Sequence, residues 1–571
     1  MLGTRLATAF RAVIHPPTGT SDSKRAKHAS VAVRAGNDPS AAYQRHEPEK
    51  TVLYKIVSEH LETFLEEVRD HYDKPLPKYV EKELRDYLAC GLLPYGFLRA
   101  VCKQCGRTIL VAFSCKKRGA CPSCSARRMC NGAAHLVDHV LPDVPVRQLV
   151  LSVPFELRLL LACRADAFGA MTSLFISEVF RWQRERAREE ELKKVRYGAL
   201  VMQHRFGSSL NLNTHLHAVF PDGVFSRHPS RKVKFHELRP PEPDDLEDIA
   251  FNVHQRFLRW LQRHGLLKNE AESGFSNESP ELTALQACAQ GSLGLGNLVK
   301  KRSKPRTSNQ DADEGGFEQR AVNGRVGVSH GYSLYAGNPI SAWDRDGRER
   351  LLRYCLRAPL SLERLSIGPD GNVIYQVKAT RHGNETRRVM TPMQFMARLV
   401  ALIPPPYHPL LRYFGVFGPH ASWRKAVVPD VAPATEHQHD LAKPPAAWTL
   451  KTDPSHSAST TSPKSPADPS VASTILAAPA RESKQETRNQ DVGPRLGAPW
   501  RIDWAALLRR VHEIDSLACP CGGRLKFVEL VTEPTTAREV LASMGLPTDL
   551  PPIAKARSPD FYQESFPADW D

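Results

Sequence analysis

Two Cys-x-x-Cys pairs constrain the fold of this chain more strongly than any other feature. The pairs are Cys102-x-x-Cys105 and Cys121-x-x-Cys124, with fifteen residues between them. Each pair can clamp one edge of a tetrahedral zinc ion, and residues 107–113 can form the strand that brings the pairs together. Four thiolates leave no open coordination position, so this zinc would be structural. The alternative, four unrelated buried thiols, is disfavoured by the spacing.

The other cysteines leave part of this assignment open. Seven of the 12 Cys lie between Cys90 and Cys130. Either Cys115 or Cys130 could replace a member of the predicted zinc set, while Cys90 can be an ordinary core residue. Cys519-x-Cys521 lacks a visible second pair, so it indicates either half of a metal site or a free-thiol turn. Clustered cysteines in so long a chain are more typical of metal ligands in a reducing compartment than of a disulfide scaffold.

The cysteine-rich stretch is also strongly basic. Between Cys90 and Cys130 there are eight Lys or Arg and no Asp or Glu, and the whole chain has a formal net charge of +16. This charge indicates a polyanionic partner, either nucleic acid or an anionic membrane surface. The sequence contains no run of 18 apolar residues, which predicts no transmembrane segment and favours nucleic acid. The side chains expected to contact DNA phosphates are Arg107, Lys116, Lys117, Arg118, Arg127 and Arg128.

A second feature, His215-Leu216-His217, lies in a segment that is predicted to be a strand. Because side chains alternate along a strand, both imidazoles would lie on one face, where a stiff element can hold a metal ion. The chain contains 22 His, so chance alone would produce roughly 0.8 such triplets, and the motif is weak by itself. A turn at residues 206–209 predicts that 201–206 and 211–220 are hairpin partners.

A third feature is Tyr354, on a predicted helix from Arg348 to Arg357 that Pro359 terminates. An aromatic residue on an amphipathic helix usually belongs to the core. The position therefore carries no functional signal of its own and gains one only from its context.

Together these segments resemble the IS91-type rolling-circle transposases of the HUH endonuclease superfamily. The resemblance runs from Cys90 to Pro429 and extends to residues 504–547. It rests on the segments CKQCGRTILVAFSCKKRGACPSCSARRM, QHRFGSSLNLNTHLHAVFPDGVF and RERLLRYCLRAPLSLERL. It implies an α+β fold in which a zinc-binding module precedes an HUH nuclease core. In that core, an antiparallel sheet flanked by helices would carry the two histidines on a central strand, with the Tyr354 helix packed across it.

The resemblance also implies a chemistry, the cleavage and rejoining of single DNA strands at transposon ends and at the target. His215 and His217 would hold Mg²⁺ or Mn²⁺ at the scissile phosphate, with Gln203 on the neighbouring strand as the third ligand. Tyr354 would attack in line and form a 5′-phosphotyrosine. An un-ionised phenol is a weak nucleophile, so it needs a phosphate that the metal has polarised.

Composition and resemblance together predict the organisation of the chain. Residues 429–499 are rich in Pro, Ser, Ala and Thr, a composition typical of a linker. The predicted parts are a disordered leader (1–50), a helical and zinc-binding DNA-binding domain (51–135), the nuclease domain (145–428) with a mobile insertion (about 270–325), a disordered linker (429–499), a small C-terminal module (500–550) and a tail (551–571). We expect a cytoplasmic protein associated with a bacterial nucleoid.

One position departs from the family members that use two tyrosines one helical turn apart. The residues four before and four after Tyr354 are Arg350 and Ala358, so the chain resembles a single-tyrosine member. One nucleophile would then serve both strand-transfer steps, or two chains of a homo-oligomer would cooperate. The alternative function is that of a non-catalytic, zinc-dependent DNA-binding protein derived from a decayed transposase copy.

Overall fold

The computed structural model describes residues 45–72, 74–227, 232–267, 283–293, 325–377, 386–429, 504–512 and 515–557. Most of the predicted leader, most of the predicted linker and the end of the predicted tail lie outside these residues. The described part combines helices with antiparallel sheets, which confirms the predicted α+β class.

The N-terminal part contains three helices and a β-hairpin. In chain order they are α1 (Val52–His71), α2 (Lys78–Leu88), β1 (Phe97–Cys102), β2 (Thr108–Ala112) and α3 (Pro122–His139). Helix α1 begins after Thr51, whose hydroxyl accepts a hydrogen bond from the Tyr54 amide and so satisfies an otherwise unpaired donor. Leu53, Val57 and Phe64 recur at helical spacing and are buried, as their periodicity predicts.

The remaining elements follow in chain order. Up to residue 263 they are β3 (Val146–Ser152), α4 (Phe155–Cys163), α5 (Ala165–Glu189), β4 (Gly198–Phe206), β5 (Leu212–Pro221), β6 (Gly223–Arg227), β7 (Val233–Glu237) and α6 (Pro243–Arg263). Up to residue 427 they are α7 (Ala284–Leu293), β8 (Val326–Ser329), β9 (Tyr332–Ala336), α8 (Arg345–Cys355), β10 (Leu365–Ile367), β11 (Val373–Gln376), β12 (Arg387–Met390), α9 (Pro392–Leu402), β13 (Leu411–Gly415) and α10 (Arg424–Val427). The C-terminal part contains α11 (Trp504–His512), β14 (Leu525–Val531) and α12 (Pro534–Ser543).

A six-stranded antiparallel sheet of order β13-β4-β5-β3-β9-β8 positions the candidate site. Strand β5, which carries His215 and His217, lies between β4 and β3, so both histidines are on a central strand as predicted. Side-chain alternation gives the sheet two apolar faces. Val201, Leu216 and Ala218 point to the face that α5 and α6 cover. Residues of the other face pack against α3 and α8.

The segment at about 270–325, predicted as a mobile insertion, contains helix α7. Its Ala284, Cys288 and Ala289 are buried in the same apolar cluster as residues of α1 and α9. These small residues allow a close approach of α7 to its neighbours, whereas the mobility of the insertion stays a prediction. The rest of this range, up to residue 324, lies outside the described residues apart from residue 283.

The C-terminal part packs on elements that are distant in sequence. Arg510 of α11 forms ion pairs with Asp138 of α3 and Glu349 of α8, at 2.5 and 2.6 Å. Strand β14 pairs with β1 on the edge opposite β2, with Phe97 opposite Val531. Residues 504–512 and 515–557 are therefore integrated with the earlier part of the fold.

Among the described helices, no single one combines the length and the apolar composition needed to cross a membrane. The pair α4 and α5 meets both requirements when taken together, and these two helices meet at a bend of 119°. Helix α5 alone is 25 residues long and is charged toward its C-terminal end.

Replacing Gly327 with Ala should destabilise the protein, because α6 lies directly against β8 at this position. A Cβ atom there would fall on the backbone nitrogen of Glu247 and the carbonyl carbon of Leu246, which cannot move aside as a side chain can. We expect a loss of about 1–3 kcal/mol in the free energy of unfolding, measured by chemical denaturation. Val328→Ala changes an exposed neighbour and is the control. Equal stability of the two variants would contradict the close packing of α6 on β8.

Candidate active site

Three histidines meet on one face of the central sheet. His204 of β4 lies directly opposite His215 of β5, and His217 lies two residues further along β5. All three side chains are buried, and one nitrogen from each ring lies within 4.8 Å of the others. The register of two adjacent strands therefore builds a compact cluster of three imidazoles.

The structure contradicts the prediction that Gln203 supplies the third ligand. Gln203 lies opposite Leu216, so its side chain points to the other face of the sheet. There its amide donates a hydrogen bond of 2.7 Å to the Thr172 hydroxyl of α5. The next residue, His204, faces the histidine pair instead. The predicted hairpin already contained this signal, because a step of one residue along a strand reverses the face.

Hydrogen bonds to backbone carbonyls orient two of these rings. The Nδ1–H of His215 donates to the Asn213 carbonyl at 2.9 Å, which leaves Nε2 with the lone pair. The Nε2–H of His204 donates to the Cys355 carbonyl at 2.6 Å, and Nδ1 of His204 is buried without a hydrogen-bond partner among the described residues. Burial lowers the pKa of His204 well below its usual value. The ring is therefore neutral, which is the state that binds metal ions.

His217 completes the cluster and makes it fit a divalent ion. Its Nε2 lies 3.1 Å from Nε2 of His215, and its Nδ1 lies 2.6 Å from the side-chain amide of Gln148. An ion held by all three rings would bind the lone pair of His204 Nδ1, which has no hydrogen-bond partner among the described residues. Three imidazoles would leave further coordination positions open for oxygen atoms.

Tyr354 lies beside this cluster. Helix α8 packs on the same face of the sheet through Leu352 and Cys355, which are both fully buried. The Tyr354 ring lies edge-on to the His217 ring, with 5.6 Å between the centroids, and the tyrosine is 40% exposed. The structure thus brings the predicted tyrosine to the predicted histidine pair and leaves it accessible to solvent.

The ends of α8 hold the tyrosine and add a positive charge. At the N-terminal end, the Asp344 side chain accepts a hydrogen bond from the Gly347 amide at 2.8 Å. Just past the C-terminal end, the Arg357 guanidinium lies 5.3 Å from the Tyr354 ring centroid and 5.3 Å from that of Phe206. Arg357 is therefore held between two aromatic rings, next to the phenol.

The predicted zinc ligands fall into two separate clusters. Cys121 and Cys124, at the start of α3, lie with Cys90 and Cys115. The Sγ of Cys124 lies 3.7 Å from that of Cys90 and 3.5 Å from that of Cys115. Zn–S bonds of about 2.3 Å in a tetrahedron place sulfurs roughly 3.8 Å apart, so these four fit one zinc ion. Hydrogen bonds from the neighbouring thiols, that of Cys115 first, lower the pKa of Cys124 and favour its thiolate.

Cys102 and Cys105 lie in the second cluster, with Cys519 and Cys521. The predicted set that combined them with the cysteine pair of α3 is therefore wrong. The five residues of β2 extend over roughly 16 Å and carry the chain from the turn after Cys105 to Cys115 at the far end of the hairpin. In the second cluster, a hydrogen bond from the Cys105 amide lowers the pKa of the Cys102 thiol to about 7.

The residues predicted to contact phosphates divide into structural and exposed ones. Arg118 donates to the carbonyls of Pro405 and His408 at 2.5 and 2.6 Å, and burial lowers its pKa. Its guanidinium thus already contacts two internal carbonyls, and its role in DNA contact stays a prediction. Half-buried Lys117 forms an ion pair of 2.7 Å with Asp86. The exposed residues, which stay predictions, are Arg107, Lys116, Arg127 and Arg128.

Comparison with known families gives two matches. Residues 56–153 match the family described as a transposase zinc-binding domain, and residues 198–425 match the family described as a putative transposase. No curated protein and no solved structure matches the chain. The first range contains the cluster around Cys124, and the second contains the three histidines and Tyr354. Cys519 and Cys521 lie outside both ranges.

The double variant Cys115→Ser/Cys124→Ser should lose one zinc ion per chain, because it removes two of four ligands from one cluster. Cys130→Ser should keep its zinc, since this buried thiol lies outside both cysteine clusters. Elemental analysis of the two purified proteins measures their zinc content. Zinc loss in the Cys130→Ser protein, or full retention in the double variant, would contradict the ligand assignment.

Proposed function

We propose that this chain cleaves and rejoins single DNA strands through a covalent bond to Tyr354. The chain belongs to the IS91-type transposases, because a transposase zinc-binding domain precedes its transposase core. The observation that carries the proposal is the position of Tyr354 beside three clustered histidines. A nucleophile next to metal-ligating side chains suits phosphoryl transfer from DNA to protein. The formal net charge of +16 is complementary to a polyanionic substrate.

In the first step, the Tyr354 hydroxyl oxygen attacks the phosphorus of the scissile linkage. A P–O bond to the tyrosine forms, the bond from phosphorus to the 3′ oxygen breaks, and the phenolic proton is lost while the leaving oxygen gains a proton. The products are a 5′-phosphotyrosine and a free 3′-hydroxyl. In the second step, a 3′-hydroxyl attacks the phosphotyrosine, joins the strands and restores Tyr354. Over the two steps, no phosphodiester bond is hydrolysed.

His204, His215 and His217 would hold the divalent ion, which when bound would draw negative charge from the phosphate. Of the two ions that the resemblance implies, a set of three nitrogen ligands favours Mn²⁺ over Mg²⁺, because Mg²⁺ prefers oxygen. The hydrogen bond from His204 to the Cys355 carbonyl links a ligand to the peptide next to the nucleophile. This bond would keep the imidazole and Tyr354 in a constant relative position.

Two further features bear on the reaction. Arg357 would offset charge on the phosphate, since its guanidinium lies 5.3 Å from the Tyr354 ring centroid. Tyr354 is the one tyrosine of α8, and one hydroxyl forms one covalent bond at a time. A reaction with two simultaneous adducts would therefore need two chains, which makes a homo-oligomer part of the proposal.

Purified protein incubated with Mn²⁺ and single-stranded transposon-end DNA should form a covalent adduct, detected as a shifted band after denaturing electrophoresis. Tyr354→Phe should abolish the adduct, because it removes the attacking oxygen and keeps the ring. Tyr407→Phe removes the hydroxyl of a fully exposed tyrosine and should leave the adduct unchanged.

An adduct that survives Tyr354→Phe would contradict the role of this residue. The alternative, a non-catalytic DNA-binding protein, would be supported if the wild-type protein bound DNA in a salt-sensitive way and formed no adduct with Mn²⁺ or Mg²⁺. In that case, substitution of the histidines would leave DNA binding unchanged.

His204→Ala should raise the Mn²⁺ concentration for half-maximal adduct formation by about ten-fold or more, because it removes a ligand from the cluster. Gln203→Met changes the adjacent residue, whose side chain faces α5, and should leave the Mn²⁺ dependence unchanged. Calorimetric titration of both proteins with Mn²⁺ measures binding independently of DNA cleavage. The reverse pattern, with the larger effect in Gln203→Met, would restore Gln203 as the ligand.

A further inference from the structure

Two cysteine pairs that are distant in sequence face each other outside the candidate active site. The Sγ of Cys102 lies 3.6 Å from that of Cys521, and the Sγ of Cys105 lies 3.5 Å from that of Cys519, 414 residues away in sequence. A disulfide needs about 2.05 Å between sulfurs, whereas sulfurs around a tetrahedral zinc lie roughly 3.8 Å apart. The separations are those of four ligands around one ion.

Each pair lies on a turn that a glycine amide closes. The Gly106 amide donates to the Cys102 carbonyl at 2.9 Å, and Gly106 has a φ of 73°. The Gly522 amide donates to the Cys519 carbonyl at 2.9 Å, and Gly522 has a φ of 84°. Each turn depends on a glycine in the left-handed region, which lets the chain fold back around its sulfur atoms. Two such turns that face one ion form a zinc ribbon.

The sheet beside these turns is shared by the same two parts of the chain. In the pairing of β14 with β1, Leu525 lies opposite Cys102. Gly523 approaches so closely that a Cβ atom there would lie 2.8 Å from the Sγ of Cys102. The second turn is therefore fitted against the first, with no room for a side chain between them.

The apolar cluster beneath these sulfurs is small. Its buried members among the described residues are Ala100, Cys102, Ile109, Cys519 and Leu525. So small a core contributes little stability, and small modules of this kind depend on a structural metal or a disulfide.

We propose that Cys102, Cys105, Cys519 and Cys521 bind a second structural zinc ion, separate from that of the Cys124 cluster, and that this ion closes a zinc ribbon split between two distant parts of the chain. Four thiolates saturate the ion, so its role is to hold β14 and α12 against the β1–β2 hairpin. The inference is independent of the Tyr354 chemistry, because a protein that cleaves no DNA would still contain this ion.

The test is the zinc content of the full-length protein, with Co²⁺ substitution as a second readout. Wild-type protein should contain two zinc ions per chain, one for each cysteine cluster. Cys521→Ser should reduce the content to one, and Cys521→His should restore two because imidazole is also a zinc ligand. In the Co²⁺-loaded Cys521→His protein, the ligand-field spectrum should show one site with three sulfurs and one nitrogen beside one with four sulfurs. Cys163→Ser, at an exposed cysteine outside both clusters, is the control.

One zinc ion per wild-type chain would overturn the proposal, and so would two ions in the Cys521→Ser protein. If the Cys521→Ser protein proves insoluble, the zinc content of the wild-type protein and the Co²⁺ spectrum of the Cys521→His protein still test the proposal. Hydrogen exchange adds a structural readout, since amides of Leu525–Val531 should lose protection in the Cys521→Ser protein while those of β5 keep it. Unchanged protection of β14 would contradict the proposed role of the ion in holding β14 against the hairpin. The adduct assay with wild-type protein remains a separate test of the proposed function.

Discussion

The pairing of β4 with β5 is the constraint on which the candidate active site depends. It places His204 opposite His215, and a slip of one residue would bring Gln203 to the site and turn His204 to the far face. The turn between the strands helps to hold the register, since the Gly207 amide donates to the Asn211 carbonyl at 2.9 Å. Backbone hydrogen bonds thus decide which side chains meet at the candidate site.

Helix α8 connects this sheet to the rest of the molecule. It carries Tyr354 to the histidines, and its Cys355 carbonyl accepts the hydrogen bond from His204. On another side, Glu349 of α8 pairs with Arg510, which also pairs with Asp138 of α3. The tyrosine helix is therefore supported by elements from before and after it in the chain, and the C-terminal part contributes to its position.

The two cysteine clusters lie at opposite ends of the β1–β2 hairpin and join different elements. The cluster around Cys124 connects the segment after α2 to the start of α3, within residues that match the transposase zinc-binding domain. The cluster around Cys102 connects the hairpin to β14. This arrangement accounts for six of the seven cysteines between Cys90 and Cys130, and the seventh, Cys130, packs in the core.

Local patterns in the sequence were sufficient for the hairpin at 201–220, for the shared face of His215 and His217, and for the helix of Tyr354, because these features depend on neighbouring residues. The α+β class was implied by the family resemblance, and the structure confirms it. Tertiary structure alone decided which cysteines share an ion, since β2 separates Cys105 from Cys115 and the chain returns Cys519 from 414 residues away. The identity of the third histidine and the burial of α7 also required pairing between distant segments. Sequence spacing determines the direction of a side chain within one element, whereas metal ligands must converge from several elements at a point in space.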